Sequence, residues 1–234
     1  MKMLFFDMEF ADGRVPGSIY SLGYVVTDEN FKILTPPTDI LINPESTWNS
    51  YVVRKILAYP KHKVTSAPNF AEQYKQIKRL FDRADLAVGF AVGNDVRALR
   101  KDCERYHLPK LSYKALDMEQ ICKQMDEHRE AHGLAGYVEA WCGEAPKNQH
   151  RSDGDAYATM LLLREICKQK HVTPNMLMEV FPDCSSFSEV QQRPARKKGT
   201  FSIWKRVFGR HSTPRRERMH QVRANPTKKD KKAD

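Results

Sequence analysis

The sequence predicts a mixed α/β sheet flanked by helices, and three observations carry that expectation. The first 43 residues read as strands joined by short turns, residues 70–181 alternate helical and strand patterns, and the composition changes abruptly at Arg193. Strands first and alternation afterwards imply a sheet with antiparallel and parallel pairs and helices on its faces. One domain over residues 1–181 follows, with a linker and a basic, largely disordered C-terminal extension over 182–234.

Each element has a local reason. Residues 3–10 (MLFFDMEF) form a short apolar run ending in two carboxylates, and the Gly and Pro residues of 12–17 break it. Residues 19–27 are rich in β-branched and aromatic side chains, and residues 28–30 turn into a run at 31–34. A further strand over 39–43 stops at Pro44, completing an antiparallel meander. Phe70, Tyr74, Ile77, Leu80 and Phe81 recur at helical spacing, so residues 70–83 read as an amphipathic helix. The nearly all-apolar run at 86–90 suits a strand covered on both faces. A helix over 95–106, a strand over 113–116 and a helix over 117–125 repeat the alternation, and with three or four strands in the meander a five-stranded sheet is expected. Helices over 134–141, 153–168 and 174–181 complete the body, the last with Thr173 as N-cap and Pro174 at its first position.

Composition narrows the function classes. The chain has 234 residues, 41% of them hydrophobic, enough to bury one good-sized core. Residues 193–234 hold fifteen Lys and Arg against three acids, a net +12, so the whole-chain +10 leaves about −2 for residues 1–192. Five widely spaced cysteines without a C-x-x-C pair argue against a disulfide framework and a zinc site. With no apolar run near the roughly 20 residues that span a bilayer, the expected location is cytoplasmic.

The chemistry is expected where carboxylates gather. On a strand, Asp7 and Glu9 share one face, and their mutual repulsion calls for a cation. Oxygen ligands suit Mg²⁺ or Mn²⁺, although both acids are equally compatible with hydration at a strand end. Asp95 follows the buried strand directly and either faces the carboxyl end of the sheet or, with Asn94, caps the next helix. In His150-Arg-Ser-Asp-Gly-Asp155, Ser152 and Asp155 have the spacing of a capping box, which leaves His150 unexplained. Histidine is the residue type placed to accept a proton near neutral pH.

Together these motifs resemble the DEDD superfamily of DnaQ-like 3'-5' exonucleases, which have an RNase H-like fold. Asp7-Met8-Glu9 matches the family's D-x-E at the end of the first strand. Gly89 to Asp95 matches the loop written G-H-N-x-x-F-D at its glycine and aspartate, with Phe90 and Ala91 in place of His-Asn and Asn94 in place of the apolar residue. His150 and Asp155 match H-x-x-x-x-D, indicating the histidine-type branch (DEDDh). The resemblance covers roughly residues 3–170. It implies two divalent cations, Mg²⁺ or Mn²⁺, on Asp7, Glu9, Asp95 and Asp155, with His150 as general base. The implied reaction releases nucleoside 5'-monophosphates from single-stranded or frayed 3' ends of DNA or RNA. Met8, Phe10, Ala11 and His150 are candidate contacts for the terminal nucleotide. In the tail, Arg196, Lys197, Lys198, Trp204, Lys205, Arg206, Arg215 and Arg216 join phosphate-neutralising charge to aromatic rings, a surface for nucleic acid or for a polymerase or repair partner. The departures in the second motif keep a rival open: a nucleic-acid-binding or scaffolding protein with a weak or silent nuclease site.

Overall fold

The computed structural model describes residues 1–15, 17–147 and 150–187. Its centre is β1 (Met3–Phe10), paired antiparallel with β2 (Ile19–Thr27) and parallel with β4 (Leu86–Gly89). Outside these lie β3 (Ile33–Leu41) beyond β2 and β5 (Lys114–Asp117) beyond β4. A short sixth strand, β6 (Ser185–Phe187), adds antiparallel to β5, giving the order β3-β2-β1-β4-β5-β6. The five expected strands are present, and β6 extends the folded body past residue 181 to Phe187. That shift has a simple cause: β5 would otherwise leave an edge of unpaired backbone groups.

The runs expected separately over 31–34 and 39–43 are one strand, β3. Its Pro36 and Pro37 are tolerated because they fall at a register irregularity on an edge strand, between Thr35 opposite Val26 and Thr38 opposite Tyr24, where the ladder is already interrupted. Between β3 and the next long helix, the sequence pattern gives no warning of two short elements. They are a π-helical turn at Val52–Ile56 and α1 (Lys61–Thr65).

Helices cover both faces, as the alternation predicts. On one side α2 (Phe70–Asp82) and α3 (Gly93–Arg105) pack on Leu4, Phe6 and Met8. On the other, α4 (Met118–Met125), α5 (Gly133–Cys142), α6 (Ser152–Lys170) and α7 (Pro174–Val180) pack on Met3, Phe5 and Val25. α2 begins with a capping box in which Asn69 accepts from Glu72 N–H and Glu72 accepts from Asn69 N–H. Thr173 caps α7, with Pro174 at its first position, as read from the sequence. No disulfide joins the five cysteines. Among the described residues no helix is long and apolar enough to cross a membrane.

Candidate active site

β1 changes character along its length. Alternate residues share a face, so the side that begins with Met3 and Phe5 in the core ends with Asp7 and Glu9. In register, Asp7 sits opposite Gly23 of β2, and Gly23 sits opposite Asp39 of β3. A methyl group on Gly23 would lie 1.9 Å from the Ser152 carbonyl carbon and 2.0 Å from the Asp153 nitrogen. The start of α6 therefore rests directly on the β2 backbone, between two carboxylate-bearing strands. Beside it, a register shift between Glu9 and Phe10 marks a bulge, a device that re-aims side chains next to sites.

This docking brings the third motif onto the first. One oxygen of Glu9, one nitrogen of His150 and one oxygen of Asp155 lie within 4.8 Å of one another. Asp155 is in the first turn of α6, and its Oδ2 accepts from the His150 N–H at 3.1 Å. His150 itself is exposed, with a left-handed φ of 64°. The capping box between Ser152 and Asp155 does not form, because the N-cap is Arg151 and the serine is engaged elsewhere. Ser152 hydrogen-bonds Ser21 across to β2, and its Oγ lies 2.7 Å from Asp39 Oδ1, to which it donates.

Asp95 arrives from the other side. It is buried at the third position of α3, whose N-cap is Val92 with no capping side chain, so neither Asp95 nor Asn94 caps the helix. The preceding loop is held by Asp117 at the end of β5, whose Oδ1 accepts from Ala91 N–H at 3.0 Å and also caps α4. That contact fixes Ala91 at φ 58°, in the very segment that departs from the family pattern.

The four acids share one electrostatic environment. Burial, then Asp95, Asp155 and Glu9, hold Asp7 well above the usual carboxylate range. Burial, then Asp155 and Asp39, push Glu9 up to about 8. Burial and the charges of Glu9 and Asp117 raise Asp95. Burial raises Asp155 to about 6, against the lowering effect of its hydrogen bond from His150. The Arg151 guanidinium relieves little of this, since it is bound to Asp153 at 2.9 and 3.0 Å. A cluster of mutually repelling carboxylate oxygens beside an imidazole is a donor set that fits a hard divalent cation.

Asp39 and Tyr59 were not among the expected site residues. Asp39 accepts from the Tyr59 hydroxyl, which in turn accepts from Arg151 Nη2 at 3.3 Å. The sequence signal for Asp39 is its register opposite Gly23, which only the strand pairing across Pro36-Pro37 reveals. Of the expected nucleotide contacts, Met8 has its side chain on the opposite face, in the core with Leu4 and Phe6, which leaves its backbone as the part able to face the site. Ala11 is likewise fully buried, with Tyr20, Val52 and Val64. Phe10 is half-buried and lines a cavity of about 110 Å³ with Val15, Asn94 and Arg97, while His150, the fourth of these residues, is exposed. Phe90 packs toward Tyr137, ring centroids 6.1 Å apart. The tail residues Arg196 to Arg216 lie outside the described residues.

Comparison with known proteins agrees with this geometry. No curated protein sequence matches the chain. Among solved structures, E. coli exonuclease I in complex with a dA16 oligonucleotide superposes with a TM-score of 0.65 at 16% identity, over 78% of this chain and 43% of that one. A 3'-exonuclease described in 3'-end-specific recognition of a histone mRNA stem-loop superposes with a TM-score of 0.59 at 12% identity, over 74% and 84%. The chain thus spans less than half the length of exonuclease I. The exonuclease (RNase T) family matches residues 4–163, well over half of the sequence. With all three motifs, the four acids and the histidine, in that span, the chain belongs to the DnaQ-like exonuclease family of the DEDD superfamily.

Proposed function

We propose that the protein is a metal-dependent 3'-5' exonuclease of the histidine-type branch, hydrolysing terminal phosphodiesters of DNA or RNA to nucleoside 5'-monophosphates. The observation that carries this reading is the meeting of Glu9, His150 and Asp155 within 4.8 Å in a chain of this family. Asp7, Glu9, Asp95 and Asp155 would hold two Mg²⁺ or Mn²⁺ ions. When bound, these ions neutralise the scissile phosphate, acidify the attacking water and stabilise the departing 3' oxygen. His150 supplies what the acids lack, an exposed imidazole nitrogen that accepts the water's proton as it attacks phosphorus. The tether from its N–H to Asp155 keeps the base on the same unit as a ligand. Asp117 positions the Asp95 loop, and Ser21, Ser152 and Asp39 seat α6.

The domain is proposed to end at Phe187, with the basic residues beyond it holding nucleic acid near the site. Five cysteines, none of them in a disulfide, suit a reducing compartment, and cytoplasmic action is the corresponding proposal. The test is incubation with 5'-labelled single-stranded DNA and RNA in Mn²⁺, Mg²⁺ or chelator, beside Asp155→Ala. A ladder shortening from the 3' end with metal, absent in the variant, is the expected result. Tight binding without cleavage in either metal would replace this reading with that of a nucleic-acid-binding protein with a silent site. His150→Ala is expected to lose about 10²- to 10⁴-fold in kcat. It should keep the rise in Tm on metal addition, since the acids remain.

A further inference from the structure

Apart from Tyr59, the segment between β3 and α2 is given no use by the site above. From Glu45 to Glu72 it contains no other acidic residue, yet it carries Arg54, Lys55, Lys61 and Lys63 on a body of about −2 overall. All four cations are exposed, and among the described residues none forms an ion pair. Two of them lie over aromatic rings instead: Lys61 Nζ is 5.2 Å from the Trp48 centroid and Lys63 Nζ 5.6 Å from that of Tyr59. Tyr51 in the same segment is 60% exposed, an unusual position for a large ring.

A charge run is ordinarily a solvated face, but this one is built into the lip of the acidic cluster. Asn49 N–H donates to the Ala11 carbonyl at 2.9 Å, two residues beyond Glu9. Trp48 packs on Tyr20 with centroids 5.6 Å apart, and Tyr20 lies on β2 between Ser21 and Ile19 at the bulge beside Glu9. At the other end, the Tyr59 hydroxyl donates to Asp39, and the Arg151 guanidinium sits 5.4 Å over the Tyr59 ring. Cations with no acidic partner, interleaved with aromatic rings and joined to a phosphodiesterase site, match an unpaired polynucleotide. A peptide polyanion would use the charge and not the rings.

We propose that residues 48–63 seat the strand on the 5' side of the scissile bond. Lys61, Lys63, Arg54 and Lys55 take its phosphates, and Tyr51 takes a base. The inference rests on the exonuclease reading for its direction but makes its own demand on binding.

The test uses the full chain and two variants, one with Arg54→Ala, Lys55→Ala, Lys61→Ala and Lys63→Ala together, the other Tyr51→Ala. Each is assayed on thymidine 5'-monophosphate p-nitrophenyl ester, which reaches only the metal site, and on (dT)20 and (rU)20 between 50 and 200 mM salt. In the quadruple variant the ester is expected to react as in the wild type, while KM for the 20-mers rises about tenfold or more. Its log–log salt slope should flatten by about 2 to 3, from roughly 0.7 per lost phosphate contact. Tyr51→Ala should raise KM about fivefold or more with the slope intact, as loss of one stacked base implies. Unchanged KM and slope on the 20-mers, or equal losses on ester and 20-mers, would overturn the proposal. So would an equal weakening of poly-glutamate binding, the mark of unspecific anion attraction. If the wild type cleaves neither substrate, the exonuclease reading falls, and the slope measured by fluorescence anisotropy still decides the surface.

Discussion

The two faces of β1 share a backbone and differ in purpose. On the face toward α2 and α3, Leu4, Phe6 and Met8 stay apolar along the strand and are buried in one core. On the face toward α6, Met3 and Phe5 are core, and the next two residues, Asp7 and Glu9, are acids whose pKa values burial and neighbouring carboxylates raise. One face therefore stabilises the fold throughout, and the other gives up stability over its last turn of pleat to collect charge. Burying like charges without a cation opposes folding, so the acidic end persists through the packing around it.

The sharpest way to break this contrast is Asp7→Asn. It keeps the shape and removes a charge that Asp95, Asp155 and Glu9 oppose. Exonuclease activity is expected to fall about 10³-fold or more, since a cation ligand is worth several kcal/mol in the transition state. The Tm of the metal-free protein should rise. Steady-state kinetics beside calorimetry in chelator would read both, and a fall in that Tm would contradict the repulsion described here.

Phe6→Ala makes the opposite cut on the same strand. Phe6 is fully buried, edge-on to Phe81 at 5.3 Å and to Tyr113 at 6.3 Å. The loss expected in urea unfolding is about 3–5 kcal/mol. The fraction that stays folded should keep kcat within about twofold, because the ring faces away from Asp7 and Glu9. A large kcat loss in folded protein would mean that the two faces are not separable.

The pH dependence sharpens the comparison further. Glu9 is pushed up to about 8 from 4.5, and Asp155 to about 6 from 3.8. Between those values the folded protein holds protons that the unfolded chain has released, so stability falls as pH rises through the interval and is fullest below it. Without metal, Tm is expected to drop by roughly 5 °C or more from pH 5 to pH 8, since each kcal/mol moves a domain of this size by about 2–4 °C. Saturating Mg²⁺ or Mn²⁺ should recover most of that loss at pH 8 and add little at pH 5, where bound protons replace the cation. A metal-free Tm that is flat or rises over the range would contradict it.

Much of this organisation is legible in the residues themselves, because strands and helices advertise their periods. The alternation of β1 puts Asp7 and Glu9 together, and the spacing of His150 and Asp155 announces the start of α6. Asp39 is different: its place beside Asp7 depends on two strand registers and an irregularity at Pro36-Pro37, which is long-range information that no local pattern holds. Met8 follows from alternation alone, since a residue between two site acids on a strand must face the other way. The segment at 48–63 was opaque for a third reason. Its π-helical turn and its five-residue helix are too short to show a period, and they are held by contacts to Ala11, Tyr20 and Asp39.

The smallest expected effect lies furthest from the acids. On the apolar side, α2 starts at Asn69, whose Oδ1 accepts from Glu72 N–H at 3.1 Å while Glu72 Oε2 accepts from Asn69 N–H at 2.8 Å. Asn69→Ala removes the cap acceptor and leaves the Glu72 half of the box. The cost expected is about 1 kcal/mol in denaturant unfolding. Because α2 carries none of the acids and lies on the face of β1 away from Asp7 and Glu9, both kcat and the metal-dependent rise in Tm should match those of the wild type. A loss of activity beyond about twofold in Asn69→Ala would show that strain on the apolar face is transmitted through β1 to Asp7 and Glu9. The independence of the two faces would then give way to coupling.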